Sequence, residues 1–260
     1  MKRSGLIVVL PVLFALLSCA SSAVAATRCA PLLSPRTLPA IRALDPKPRA
    51  PRVFAVQYRQ AAANVTFYGS FRATVECLLA KWVLPYRATG RPNVVVFDED
   101  MGLATLGVGA RGAAARRLFN RASGAGCVPD CALGSLAVLA RSYGGPLARY
   151  RSRFPGVGSY AGVFVAATDT IVRAFLAPMS DAARRYGIYV VASGDLPAFR
   201  QSAARGEVRA FADPALHARS AYVATSAAVH NVASSGDRGT SGAVDPTCCA
   251  TSWPATSRCH

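Results

Sequence analysis

The sequence predicts an α/β fold, and the order of its apolar segments is the main reason. Two short runs rich in β-branched residues flank an amphipathic helical pattern, and two further strand patterns follow a second helical stretch. Strands that alternate with helices are typical of a sheet packed against helices. Hydrophobic residues make up 52% of the 260 residues, which excludes a wholly disordered chain. The 21 Gly and 17 Pro are scattered without a period, which excludes a coiled coil or a fibre.

Residues 1–25 predict a secretory signal peptide. Lys2 and Arg3 precede an apolar run, and the Ala-Val-Ala at 23–25 fits the small-x-small cleavage pattern. We therefore expect a secreted or cell-envelope protein. Lipoprotein processing at Cys19 is the alternative, since the residues before it loosely resemble a lipobox. Only that alternative predicts attachment to a membrane.

Export places the eight cysteines in an oxidising compartment. Removal of the leader with Cys19 leaves an odd number, so at least one cysteine is free or pairs between chains. Cys127 and Cys131 flank a short Val-Pro-Asp segment, and we expect a local disulfide between them. No second pair and no nearby histidine completes a tetrahedral set, so the sequence predicts no metal site.

The first strand follows a lead-in over residues 26–51, which is Pro-rich and basic and is expected to be extended rather than part of the core. Residues 52–58 predict that strand, and a helix is predicted over about residues 68–84. The helix carries apolar residues at helical spacing: Phe71, Val75, Leu78, Leu79 and Trp82.

The second strand, residues 93–97, is a continuous apolar run, which is typical of a strand buried on both faces. Three acidic residues follow it directly: Asp98, Glu99 and Asp100. Residues 104–160 then hold eight arginines and a single acidic residue. We expect helical pieces within an insertion there.

The remaining elements are a helix over about residues 160–185, bent or divided at Pro178, and strands over residues 189–193 and 220–232. The composition changes at Ser234. The last segment, residues 234–260, contains no Leu, Ile, Phe or Tyr and holds three of the eight cysteines. We predict that it is disordered or frame-shifted. Translation of the other two frames of the coding DNA would test the second alternative.

Four segments together resemble the carbon–nitrogen hydrolase (nitrilase) superfamily. Residues 52–57 (RVFAVQ) are similar to its opening strand, and residues 93–100 (NVVVFDED) to its second strand, which ends in the catalytic glutamate. Residues 186–194 (YGIYVVASG) and 221–229 (AYVATSAAV) occur where its next two strands are expected. The resemblance covers about residues 52–233. It implies an αββα sandwich, truncated here after about the fourth strand, and a homo-oligomer, because the family is commonly dimeric.

The resemblance also implies that Glu99 is a catalytic residue. The family uses a glutamate as general base, a cysteine that attacks an amide or nitrile carbon, and a lysine that stabilises the oxyanion. A carboxylate at the carboxyl edge of the sheet lies where α/β proteins form their sites. Crowded like charges, here Asp98 and Asp100, raise the pKa of a carboxylate and suit it to base catalysis. The alternative is that the three acids form a solvated turn.

The lysine and the cysteine of that triad are not matched. The lysine position falls in residues 234–242, which hold Arg238 but no lysine, and no lysine follows Lys81. The rigid fork of arginine is a poor substitute for a compact ammonium. Cys248 has a faint likeness to the family's cysteine turn, but no apolar strand precedes it. We regard this likeness as a chance match.

Two functions remain open from the sequence. The first is an exported carbon–nitrogen hydrolase-like protein, inactive in this form, whose family substrates are small amides or nitriles. The second is a non-catalytic basic protein, net charge +17, that uses the arginines of residues 104–160 to hold an anionic polymer. Arginines without interleaved aromatic residues do not predict a nucleic-acid partner. No glycine-rich phosphate loop or serine elbow is present, and we expect no cofactor. We expect His230 to be packed or hydrogen-bonded and His217 to lie in a loop, neither as a ligand.

Overall fold

A four-stranded mixed sheet organises the protein. The computed structural model describes residue 29 and residues 50–57, 60–122 and 130–236, with side chains described at residues 29, 50–57, 60–118 and 134–230. These ranges form a mixed α/β fold with four strands and seven helices. The predicted α/β class is therefore confirmed.

The strands are β1 (Arg52–Val56), β2 (Asn93–Phe97), β3 (Tyr189–Ser202) and β4 (Ala221–Gly236). Their order in the sheet is β1-β2-β3-β4; the first three are parallel, and β4 runs antiparallel to β3. The register places Val53 beside Val94 and Val94 beside Tyr189. All four predicted strands are present, and β2 has its predicted bounds.

Strand β3 is much longer than predicted. Gly194 and Pro197 are strand breakers in sequence terms, but β4 pairs with β3 along this whole length. The register shifts between Pro197 and Phe199, at the point where proline has no N–H to donate. The two strands thus form a long antiparallel ribbon that extends beyond the parallel part of the sheet.

The helices are α1 (Tyr68–Trp82), α2 (Gly109–Ala122), α3 (Asp130–Ser142), α4 (Gly144–Arg153), α5 (Ser159–Ala166), α6 (Thr168–Tyr186) and α7 (Arg205–Phe211). Short 3₁₀ turns cover Ala62–Val65, Leu84–Tyr86 and Leu103–Gly107. The apolar stripe predicted on α1 is confirmed, since Phe71, Val75, Leu78 and Leu79 are buried.

The long helix predicted over residues 160–185 is divided, but not at Pro178. The break falls at Ala167, where α5 and α6 meet at an angle of 52°. Pro178 lies in the first turn of the final α-helical segment, after a π-helical turn over Val172–Leu176. A missing N–H is tolerated at such a position, so the helix continues through the proline. Among the described helices none is long and apolar enough to cross a membrane alone; α5 and α6 meet that test only as a bent pair, by length and composition.

One face of the sheet is buried and the other is only partly covered. Val95 and Phe97 are buried, whereas Val94 and Val96 are half-buried, and Val53 in β1 is 60% exposed. The prediction that β2 is buried on both faces is therefore wrong. It failed because a run of valines fits two arrangements: a strand buried on both faces, and a strand buried on one face whose other face is apolar but open.

The arginine-rich residues 104–160 form helical pieces, as predicted, and these contribute to the same core as the sheet. Tyr143 and Tyr150 are almost fully buried, and burial raises the pKa of each hydroxyl to about 12. The Tyr143 hydroxyl donates to Oγ1 of Thr170 at 3.0 Å, and the Tyr150 hydroxyl oxygen accepts from the N–H of Ala224 at 2.8 Å. The first bond connects the junction of α3 and α4 to α6, and the second connects α4 to β4.

A buried ion pair anchors α6 to the start of β4. Both oxygens of Asp169, which is 2% exposed, accept from Nε of Arg173, at 3.0 and 2.9 Å. The Asp169 carboxylate also accepts from the N–H of Tyr222, and the Arg173 guanidinium donates to the carbonyl of Ser220. The buried carboxylate thus has a charged partner and a backbone donor, and the guanidinium has a second acceptor. A buried ion pair needs such additional hydrogen bonds to offset its loss of hydration.

A disulfide joins Cys29 to Cys77 in α1, and Cys29 packs against the core. The sequence analysis did not predict this pair. At the other end, β4 extends to Gly236, past the predicted boundary at Ser234. Several predictions lie outside the described residues: the signal peptide, Cys19, the side chains of Cys127 and Cys131, and residues 237–260 with Arg238 and Cys248.

Candidate functional site

Glu99 lies just beyond the carboxyl end of β2, in the turn that leads to the 3₁₀ segment Leu103–Gly107. Its side chain is exposed, while those of Asp98 and Asp100 are half-buried. Asp100 has a φ of 55°, in the left-handed region, so the chain turns sharply directly after Glu99. The carboxylate therefore projects at the edge where the parallel strands end.

Backbone bonds hold this turn against β3. The N–H of Asp100 donates to Oγ of Ser193 at 2.9 Å, and the N–H of Gly102 donates to the carbonyl of Ser193 at 3.0 Å. The amide nitrogen of Gln60 approaches the carbonyl of Met101 at 3.4 Å. The turn after β2 is thereby held against β3 at Ser193, where the parallel part of the sheet ends.

Two glycines make this close approach feasible. A Cβ on Gly102 would lie 3.0 Å from Cα of Gly194 and 3.0 Å from Cδ1 of Phe175. A Cβ on Gly194 would lie 3.1 Å from the same ring. The π-helical turn of α6 carries Phe175. A side chain at either glycine would therefore push the turn, the strand or the ring away.

Asp195 on β3 joins the acidic residues that follow β2. Burial raises the pKa of the Asp195 carboxyl, and the charges of Asp100 and Glu99 raise it further. Burial also raises the pKa of Asp98, whose Oδ1 is buried without a hydrogen-bond partner. Like charges are thus crowded at this edge, and Asp195 is one carboxyl whose pKa they raise.

Tyr160, in the first turn of α5, lies beside the same carboxylates. Its side chain is 60% exposed. Partial burial raises the pKa of its hydroxyl, and the charges of Asp195 and Asp100 raise it further. The edge therefore carries carboxylates that can accept a proton, together with the phenol hydroxyl of Tyr160. Within the described ranges, no three His, Cys, Asp or Glu side chains are placed to hold a metal ion.

Neither a lysine nor a free thiol accompanies Glu99 among the described side chains. Lys81, the one lysine in the described ranges, lies in the last turn of α1, with Nζ 4.7 Å from the centre of the Trp82 ring. Cys29 and Cys77 are bonded to each other. The weak candidates Arg238 and Cys248 lie in the part of the chain that the structure does not describe.

The arginines of residues 104–160 divide into two groups. Arg111 donates to the carbonyls of Phe211 and Ala212, at 3.1 and 3.0 Å. Arg116 donates to the carbonyls of Gly107 and Gly109, and burial lowers the pKa of its guanidinium. These two stabilise loops and helix ends. Among the described side chains of the stretch, the exposed arginines are Arg117, Arg141, Arg149, Arg151 and Arg153.

His217 and His230 make no described contact with the residues of the acidic edge. His217 is exposed in the loop after α7, as expected. His230 was expected to be packed or hydrogen-bonded; its side chain is exposed on β4, so the packed alternative is wrong. Residue 230 lies in the part of β4 that pairs only with β3.

Sequence reasoning missed Asp195, although a usable signal was present. The rule that selected Glu99, a carboxylate directly after an apolar strand, applies equally to Asp195 after the run at 189–193. Gly194 obscured it, because glycine suggested that the strand ends there.

Comparisons with known proteins found no significant match: no family model, no curated protein and no solved structure is similar enough to this chain. The family resemblance of the four strand segments therefore remains a hypothesis that depends on the residues themselves.

Proposed function

We propose that the chain is an exported carbon–nitrogen hydrolase-like protein in which Glu99 holds the position of the family's general base. The observation that carries the proposal is the placement of Glu99 at the carboxyl edge of a parallel sheet, beside the crowded carboxylates of Asp100 and Asp195. In addition, each of the four segments that resemble the family overlaps one strand of the sheet.

The αββα sandwich belongs to the same proposal. The half-covered face of the sheet, with Val53, Val94 and Val96, is the face against which a second sheet would pack, about 10 Å away. In such a family member, the substrate amide or nitrile would bind at the edge that carries Glu99. Export through the leader at residues 1–25 is part of the proposal and predicts a mature chain that begins near residue 26.

We further propose that this chain does not hydrolyse amides or nitriles. The family reaction needs a thiol that attacks the carbon, a base that takes the thiol proton, and a cation that stabilises the oxyanion until ammonia leaves. Glu99 can supply only the base. No lysine follows Lys81, and Cys29 and Cys77 are held in a disulfide. Catalytic groups that act as one unit lose nearly all activity when one is missing.

Ammonia release from a panel of aliphatic and aromatic amides and nitriles tests the proposal. We expect the full chain, Glu99→Gln and the control Glu76→Gln to give the same rate as a protein-free blank. Turnover that Glu99→Gln abolishes and Glu76→Gln retains would overturn the predicted inactivity and establish Glu99 as the base. Turnover that survives Glu99→Gln would overturn the role assigned to Glu99.

A further inference from the structure

The ring of Phe175 packs against the backbone that carries the acidic edge. The acidic edge consists of three carboxylates: Glu99, Asp100 and Asp195. Phe175 is fully buried in the π-helical turn of α6. A Cβ built on Gly102 would lie 3.0 Å from Cδ1 of this ring, and a Cβ built on Gly194 would lie 3.1 Å from its Cε1. The ring thus lies against the turn after β2 and against β3 at the same time.

Each of the two glycines is close in sequence to a carboxylate of the acidic edge. Gly194 directly precedes Asp195 in β3, and Gly102 follows Asp100 by two residues. The N–H of Gly102 donates to the carbonyl of Ser193 at 3.0 Å, which holds the turn and the strand together. A displacement of the ring would therefore displace both segments that carry the carboxylates.

The π-helical turn gives Phe175 this position. The N–H of Ala177 donates to the carbonyl of Val172, five residues earlier, so the turn holds one residue more than an α-helical turn. Pro178 follows directly. Proline has no N–H, and in a regular α-helix its ring clashes with the carbonyl four residues before it. A wider turn before the proline relieves such a clash, so the sequence itself favours an irregular turn at the point where the ring meets the sheet.

The same turn is anchored on its other side. Arg173 donates from Nε to Oδ2 of Asp169 at 2.9 Å, and its guanidinium also donates to the carbonyl of Ser220, directly before β4. Residues two apart point to nearly opposite sides of a helix, so Arg173 and Phe175 diverge from one another. The ring of Phe71 packs edge-on against that of Phe175, with centres 5.9 Å apart. These contacts hold the ring in place.

We propose that Phe175 is a positioning residue of the acidic edge: its ring sets the separation between the turn that carries Glu99 and strand β3. The ring acts through the backbone of Gly102 and Gly194. Single π-helical turns inside α-helices occur frequently at functional sites, which is consistent with this role. The inference rests on the proposed function only in the role that this function gives to Glu99. Its test measures the electrostatics of the edge rather than hydrolysis, so the two proposals can fail separately.

NMR titration of the side-chain carboxyl carbon of Asp195 tests the proposal. The quantity to be measured is the change that Glu99→Gln produces in the pKa of Asp195, first in the wild type and then in Phe175→Leu. In the wild type Glu99→Gln should lower this pKa, because the charge of Glu99 raises it. In Phe175→Leu the same substitution should have about half that effect, because a looser turn increases both the distance and the hydration between the two carboxylates.

Phe211→Leu is the matched control. Phe211 is also buried, but its ring packs against that of Tyr150, with centres 4.6 Å apart. Both leucine variants should melt at a lower temperature than the wild type, because each leaves a cavity in the core. Only Phe175→Leu should weaken the effect of Glu99→Gln on Asp195. If Phe175→Leu does not fold, Phe175→Met provides the same test, since methionine fills irregular core space without a ring.

Three results would overturn the proposal. An equal effect of Glu99→Gln in the wild type and in Phe175→Leu would show that the ring fills the core without setting the separation. An equally weakened effect in Phe211→Leu would assign the change to general loosening of the fold. No effect of Glu99→Gln in the wild type would show that the two carboxylates are too far apart for any residue to position them.

Discussion

At the scale of single residues, the pKa of Asp195 can be measured to test the geometry of the acidic edge. Burial, and then the charges of Asp100 and Glu99, raise the pKa of Asp195. A carboxyl whose pKa is higher in the folded than in the unfolded protein holds more protons when folded, in the window between the two values. Its contribution to the free energy of unfolding is therefore greatest below that window and falls as the pH rises through it.

We expect Glu99→Gln to lower the pKa of Asp195, because the substitution removes one of the two negative charges that act on it. NMR titration of the side-chain carboxyl carbons would measure the midpoint. The loss of stability above the ordinary aspartate pKa, about 4, should also become smaller in this variant. Glu76→Gln is the control. Glu76 lies on α1, pairs with Arg185 of α6 and does not act on Asp195. An unchanged Asp195 midpoint in Glu99→Gln would contradict the placement of Glu99 beside it.

At the scale of elements, the strands were the most predictable part of the fold. The bounds of β2 follow from its run of valines, and the helix α1 follows from its apolar stripe. The length of β3 could not be predicted locally, because only pairing with β4, far along the chain, carries it across Gly194 and Pro197. Of the candidate site, Glu99 follows from the end of β2, whereas Asp195 was obscured by Gly194, which suggested that the strand ends there.

Long-range contacts also explain why the arginines could not be sorted from the sequence. Arg111 binds carbonyls at residues 211 and 212, a hundred positions later, and Arg153 acts on Glu207. Composition alone predicts an excess of charge, but not which guanidinium groups remain free.

The disulfide between Cys29 and Cys77 attaches residue 29 to α1, across a separation of 48 residues. We expect Cys29→Ser to lower the free energy of unfolding by about 2–4 kcal/mol, because the crosslink restricts the unfolded chain over a long loop. Cys29 is only half-buried, so the substitution itself disturbs little packing. Urea denaturation would measure the change.

Wild-type protein treated with a reductant serves as the control for that experiment. Reduced wild type should match Cys29→Ser measured under the same reductant in stability. A variant as stable as the oxidised wild type would contradict the contribution of this crosslink to folding.

At the scale of the whole molecule, the two faces of the sheet have different surroundings. Helices cover the face that holds Val95 and Phe97, which are almost fully buried. On the other face Val53 is 60% exposed, and Val94, Val96 and Val191 are half-buried. An apolar sheet face of this kind drives self-association, so we expect the protein to be marginally stable and to aggregate on heating.

Replacement of valine by threonine distinguishes the two faces, since the two side chains have nearly the same shape and threonine favours strands. Val53→Thr with Val96→Thr should reduce light scattering during heating and leave the melting temperature within a few degrees of the wild type. The control Val95→Thr buries a hydroxyl, so it should cost about 2 kcal/mol and lower the melting temperature by roughly 4–8 °C. If the double variant loses as much stability as the control, the outer face is packed rather than open. A sharp, cooperative transition in a monodisperse wild-type sample would also contradict the expected aggregation.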